Sequence, residues 1–108
     1  MPTEFEDKVY RLARRIPRGK VTSYGVISNA LNSSARAVGQ ALRKNPYAPQ
    51  VPCHRIILSS FHIGGFSGAI GINHPTVRKK INLLGQEGVK FDPNGRLCDV
   101  EETFLTTM

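Results

Sequence analysis

Val51-Pro52-Cys53-His54-Arg55-Ile56-Ile57 holds the residue types best suited to chemistry. A thiol is a useful nucleophile only when something beside it favours the thiolate. His54 offers a proton acceptor and Arg55 a positive field. Pro52 fixes its own φ and drives Val51 into an extended conformation, so the approach to Cys53 is stiff. A cysteine beside an apolar run is also, more simply, a small buried hydrophobe. The heptapeptide alone leaves both readings open.

Other chemistry is poorly represented. His54, His62 and His74 are scattered and form no cluster with Cys53 and Cys98 at zinc-ligand spacing, so no metal is expected. The two cysteines, with no secretion signal ahead of them, are expected free rather than bridged. The glycine-rich stretch over residues 61–73 lacks the lysine and spacing of a phosphate-binding loop. It fits a loop that wraps a planar ligand, or a plain surface loop.

These residues need elements to hold them. Thr3 and Glu6 match a capping box, and Phe5, Val9, Leu12, Ala13 and Ile16 recur at helical spacing. A helix is predicted over residues 4–15, stopped by Pro17. Thr22 or Ser23 can cap a short helix over residues 23–31, and Ser34 a third over residues 35–44. The second and third helices, joined by Asn32-Ser33-Ser34, form a helix-turn-helix pattern over about residues 23–44. Arg55-Ile56-Ile57-Leu58 reads as a strand and Ser59-Ser60 as the start of a turn. Pro75 suits the first turn of a last helix with the apolar face Val77, Ile81 and Leu84, ended by Gly85 or Gly88. Arg78, Lys79 and Lys80 read as a solvated face. Residues 89–91 read as extended, residues 92–95 as a turn, and the last dozen residues as a fraying end.

The chain has 108 residues and a formal net charge of +7, enough for one domain with a modest core. Residues 1–50 carry nine of the bases against three acids. Such an excess points to a polyanion, most often nucleic acid, or to a merely solvated basic surface. The third helix is poor in the long polar side chains that read a major groove, with only Arg36, Gln40, Arg43 and Lys44 able to reach. Its slim Ala/Gly face suits a narrow space such as an opened minor groove. No apolar run approaches the ~20 residues of a membrane span, and no membrane partner is expected. The acidic, amphipathic N-terminus is unlike a signal peptide, so an intracellular protein is expected, nuclear in a eukaryote or cytoplasmic in a prokaryote.

Six blocks carry a resemblance. They are Gly19-Lys20-Val21-Thr22-Ser23-Tyr24-Gly25, Ala35-Arg36-Ala37-Val38-Gly39-Gln40-Ala41, Asn45-Pro46, Val51-Pro52-Cys53-His54-Arg55-Ile56, Gly65-Phe66-Ser67-Gly68 and Leu83-Leu84-Gly85-Gln86-Glu87-Gly88. In this order the chain resembles the catalytic, DNA-binding C-terminal domain of the O6-alkylguanine-DNA alkyltransferases, from about Phe5 to Leu97. The resemblance implies a mainly α, winged helix-turn-helix-like fold with a short β hairpin. It implies one domain over 1–108, with the active-site motif at 51–57 and a pocket loop at 61–73. The implied activity is direct repair: one alkyl group passes from O6-alkylguanine (or O4-alkylthymine) to the protein, irreversibly, after base flipping. Cys53 would be the acceptor, His54 would take its proton through a water, and Glu87 would orient His54. Tyr24 would donate a proton to the leaving base, and Arg36 would fill the hole in the stack. The face turned to double-stranded DNA would comprise Ser34, Ala35, Arg36, Ala37, Gly39, Gln40 and Arg43, with Tyr24. Asn45, Pro52, Ile56, Gly65, Phe66 and Ser67 would shape the pocket, with Asn45 tying the recognition helix to the active-site turn. The carbonyls of Cys53 and Ile56 would read the exocyclic amine. No cofactor is implied, and a monomer is expected.

The chain also departs from the family pattern. Most members carry a further domain ahead of this one, so its function is expected to be absent. Ser59-Ser60-Phe61-His62 stands where the family has an Asn-Gly or Ser-Gly turn. Phe66 replaces a tyrosine, Gly68-Ala69 replaces a glycine pair, and Asn73-His74-Pro75 lengthens the stretch before the last helix. The rival readings are an alkyltransferase-like protein that binds alkylated DNA and recruits another pathway, a sequence-reading regulator, and a structural domain with an inert Cys53. Alkyltransferase-like proteins generally replace the acceptor cysteine, which is present here.

Overall fold

The computed structural model describes residues 2–47, 50–64 and 73–108. Helix α1 (Glu4–Arg14) opens with the full capping box: Glu6 N–H donates to Thr3 Oγ1 at 3.1 Å, and Thr3 N–H to Glu6 Oε1 at 2.9 Å. Strand β1 (Thr22–Ser23) runs directly into helix α2 (Tyr24–Ala30), which Ser23 caps by accepting from Val26 N–H. Ser34 does the same for helix α3 (Ala35–Arg43) by accepting from Ala37 N–H. Both caps satisfy amides that the first helical turn leaves unpaired. A 3-10 turn (Cys53–Arg55), strand β2 (Ile56–Ile57), helix α4 (Pro75–Gln86) and a short helix α5 (Val100–Thr103) complete the order. The mainly helical class expected from the sequence holds.

The two strands pair in parallel, Thr22 with Ile56 and Ser23 with Ile57. They are therefore not a hairpin, because a parallel pair needs a long crossover, here supplied by α2 and α3. The pair divides the core. Ile56 faces the cluster built from α1, α2 and α3, around Val9, Tyr10, Ala13, Ile27 and Val38. Ile57, one residue on and so on the opposite face, joins Val21, Ile63, Val77, Leu84, Val89 and Leu97. Tyr10 reaches across the first cluster, where its buried hydroxyl donates to Ala41 O at 2.7 Å.

The last dozen residues do not fray. Val21 N–H donates to Thr103 O, and Leu105 N–H donates to Val21 O, each at 2.8 Å. Phe104 thereby forms a parallel bridge with Val21, and Thr22 Oγ1 donates to Leu105 O at 2.8 Å. The tail carries no apolar period to read; backbone rungs to Val21, just ahead of β1 and far away in sequence, hold it.

The tail also meets the turn after β2. Phe61 N–H donates to Leu58 O at 2.9 Å, and Phe61 closes this turn at φ 70°. That left-handed conformation strains a bulky side chain. Phe104 packs edge-on against Phe61, ring centroids 5.0 Å apart and planes at 88°. Phe104→Ala removes that ring contact and its apolar burial. It is expected to cost about 2 kcal/mol in urea unfolding. An unchanged midpoint would mean that the tail adds nothing to the core it touches.

Candidate functional site

Pro52 sits at φ −81° and ψ 68°, the centre of an inverse γ-turn closed by Cys53 N–H to Val51 O at 2.9 Å. The chain then enters the 3-10 turn, so Cys53, His54 and Arg55 fan outward from consecutive positions. Cys53 keeps part of its surface exposed, while His54 is buried. Asn45, just past α3, fixes the approach: its Nδ2 donates to Val51 O at 3.2 Å, and its Oδ1 accepts from Tyr47 N–H.

Glu87 caps the C-terminus of α4 and closes the site from the other side. Its Oε2 lies 2.9 Å from His54 Nε2. With Nε2–H aimed at a carboxylate, the lone pair resides on Nδ1. Arg55 grips the same carboxylate with two nitrogens, Nε to Oε1 at 2.9 Å and Nη2 to Oε2 at 3.1 Å. Burial alone pushes the Glu87 carboxyl up, but hydrogen bonds from Arg55 and His54, with their charges, hold it below its ordinary value. The turn after α1 comes close here too. Arg18 Nη2 donates to Gln86 O at 2.8 Å. Gly19, at φ 89°, passes so near that a Cβ would meet Glu87 O at 3.3 Å.

Tyr24 opens α2 and packs partly buried against the helical cluster. Burial raises its hydroxyl above the ordinary tyrosine value, Cys53 adds to the rise, and Arg43 opposes it. The phenol therefore stays protonated at neutral pH. Its helix start lies hard against the turn after β2, where a Cβ on Gly25 would fall 2.6 Å from Ser59 Oγ.

Lys80 was expected in a solvated run and is instead fully buried. Its Nζ donates to Ile56 O and Ile63 O, each at 2.8 Å. Burial lowers its pKa to about 7, against a small upward pull from Cys53. The phase of α4 carried the signal: Lys80 lies three residues after Val77 and four before Leu84, inside the apolar stripe. The sequence marks Arg55 only as a source of positive field, because its part-buried fork on Glu87 spans 32 residues and leaves no local signal.

The candidate DNA face lies on α3. Val38, Ala41 and Leu42 face the core, whereas Ser34, Ala35, Arg36, Gln40 and Arg43 are exposed and Ala37 and Gly39 half-buried. Among the described residues, a Cβ added at Gly39 would meet nothing within 4 Å. Pro52 and Ile56 are buried. The Ile56 carbonyl serves Lys80, and the Cys53 carbonyl accepts from Ile56 N–H. Gly65, Phe66 and Ser67, and most of the loop over 61–73, lie outside the described residues. No group of three or more potential metal ligands occurs among the described residues, and no helix there is long and apolar enough to cross a membrane.

The lowered Lys80 value has a definite sign. Between about 7 and its ordinary 10.5, the unfolded chain binds more protons than the folded one, so stability rises with pH across that window. Lys80→Met is expected to flatten the rise by a few kcal/mol in unfolding titrations at pH 7 and pH 10. Equal slopes for both proteins would place the ammonium in water.

Comparison with known proteins adds four findings. Residues 4–89 match the family model described as 6-O-methylguanine DNA methyltransferase, DNA binding domain. A methylated-DNA–protein-cysteine methyltransferase of Thermococcus kodakarensis is 45% identical over 89 residues, 82% of this chain and 47% of that protein. The chain thus spans about half the length of the curated relatives it matches. Among solved structures, Mycobacterium tuberculosis OGT in complex with DNA gives a TM-score of 0.70 at 36% identity, covering 81% of this chain and 51% of that one. S. pombe Atl1, in complex with damaged DNA containing O6-carboxymethylguanine, gives 0.74 at 30% identity, covering 94% of this chain and 95% of that one.

Proposed function

Because the chain belongs to the 6-O-methylguanine DNA methyltransferase family, we propose that it repairs alkylated DNA by taking the alkyl group onto Cys53. The observation that carries this reading is the buried His54–Glu87 pair beside a partly exposed cysteine. His54 Nδ1 takes the thiol proton, through a water, and Glu87 stabilises the imidazolium that forms. The thiolate attacks the alkyl carbon in line. The bond from that carbon to O6 breaks, and its electron pair stays with the guanine. Tyr24, held as a neutral phenol, gives that guanine a proton. The new sulfur–carbon bond is a thioether with no leaving group of use, so each protein acts once. The alkyl donor is the DNA itself, and the chemistry calls for no cofactor.

An O6-alkyl carbon inside a duplex is closed to in-line attack by a side chain, so the nucleotide must be flipped. Unstacking costs a few kcal/mol, which Arg36 offsets by entering the vacated space. Arg36 stands exposed on the first turn of α3. Damage arises in any sequence, so affinity rests on phosphate contacts, consistent with the basic N-terminal half. Gly39 supports a close approach to the minor groove. A helix-interior glycine costs up to about 1 kcal/mol relative to alanine, and among the described residues no contact requires it. Gly39→Ala is expected to raise stability by about 0.5–1 kcal/mol and to weaken duplex binding. Undiminished binding in a gel-shift titration would remove the groove from the account.

A second reading has an observation in its favour. The likeness to S. pombe Atl1 covers nearly the whole of both chains. On that reading the protein binds alkylated DNA without accepting the alkyl group. Intact mass after incubation with a duplex containing O6-methylguanine separates the two. The transfer reading expects a gain of one methyl group, mapped to Cys53 and abolished in Cys53→Ala, with DNA binding retained. Selective binding of the same duplex with no mass gain would favour the second.

A further inference from the structure

Arg55 makes three hydrogen bonds to two segments far away in sequence. Two go to the Glu87 carboxylate, and the third runs from Nη1 to Ile16 O at 2.8 Å, just past α1. Its side chain is 17% exposed and that of Glu87 only 7%. A guanidinium presents its donors in a fixed plane, so engaging both carboxylate oxygens and a carbonyl sets the plane of the carboxylate as well as its position. Only one oxygen orientation then presents Oε2 to His54 Nε2 at 2.9 Å. A lone carboxylate–imidazole pair at the end of a helix has no such constraint, because Glu87 would turn about its own torsions.

We propose that Arg55 is the positioning residue of this site, a fork anchored on the Ile16 carbonyl that holds the Glu87 carboxylate in register with His54. The proposal rests on the alkyl-transfer reading for its kinetic consequence. The charged and titratable groups around the carboxylate are few. His54 and Arg55 face it from the 3-10 turn. Arg18, from the turn after α1, binds the carbonyl of the preceding Gln86. Lys80 lies two turns earlier on α4, directed at Ile56 O and Ile63 O. Cys53 precedes His54 and acts electrostatically on Tyr24. Arg55 is the one that touches both carboxylate oxygens, so its loss should reach His54 through Glu87 rather than through the thiol.

Single-turnover transfer rates, read across pH for the wild type, Arg55→Met and Arg55→Lys, test this. Without the guanidinium, Glu87 takes up a proton at higher pH, so the acid limb of the Arg55→Met profile should move up by about one pH unit. Its rate on the plateau should fall at least tenfold, roughly, because the relay is misplaced. Arg55→Lys keeps the charge and loses the fork, so its limb should stay near the wild-type position while its rate falls. A folded Arg55→Met protein whose limb does not move overturns the proposal, as does Arg55→Lys with the wild-type rate at every pH. The second outcome decides the matter even where Arg55→Met fails to fold. A ¹³C titration of the Glu87 carboxyl is independent of transfer. If the wild-type protein gains no alkyl mass, the functional reading falls by itself. An upward-shifted Glu87 midpoint in Arg55→Met then still supports the fork, and an unmoved one overturns it.

Discussion

A buried carboxylate must be paired or neutralised, and that requirement at Glu87 organises this molecule. Removing a carboxylate from water costs several kcal/mol unless hydrogen bonds and opposite charge offset it. Arg55 and His54 provide both, and among the described residues no buried side-chain polar atom lacks a partner. The partners come from one 3-10 turn, while the carboxylate comes from the end of α4 and the anchoring carbonyl from the end of α1. The 3-10 turn and the ends of α1 and α4 are therefore fixed at one point. The surrounding arrangement is consistent with this: Gly19 lets the turn after α1 pass close to Glu87, and Tyr24 and Cys53 pack against the same helical cluster.

On the proposed reading, the two tasks fall on separate faces. On α3 the inward positions Val38, Ala41 and Leu42 serve packing, and the outward ones carry bases and small residues. Asn45 joins that helix to the active-site turn through one hydrogen bond to Val51 O. A shift of α3 against bound DNA would thus be felt two residues from Cys53. The candidate DNA face and Cys53 are thus joined through a side chain of the segment that follows α3.

What the sequence made legible was local. Thr3, Ser23 and Ser34 announce helices because a cap and its amide lie within three residues. Cys53, His54 and Arg55 are adjacent, so their joint chemistry could be read directly. Glu87 could be tied to His54 only through the family resemblance, because 33 residues separate them. Lys80 was misplaced because its neighbours Arg78 and Lys79 suggested a charged surface, although helical phase put it among Val77 and Leu84. The tail and the left-handed Phe61 had no local signal at all. Each is determined by what it docks against, Val21 in one case and Phe104 in the other.

The sequence distances within the site bear on how the protein reaches its working state. His54 meets Glu87 across 33 residues, and Arg55 meets Ile16 across 39. Contacts of that span require the intervening chain to close first, at a cost in loop entropy. A chain still emerging from synthesis, or transiently opened, carries Cys53 without its relay. Such a chain keeps His54 and Arg55 beside Cys53 in sequence but lacks the Glu87 carboxylate that fixes both. On the alkyl-transfer reading, the relay beside Cys53 is complete only once the end of α4 has docked on the 3-10 turn.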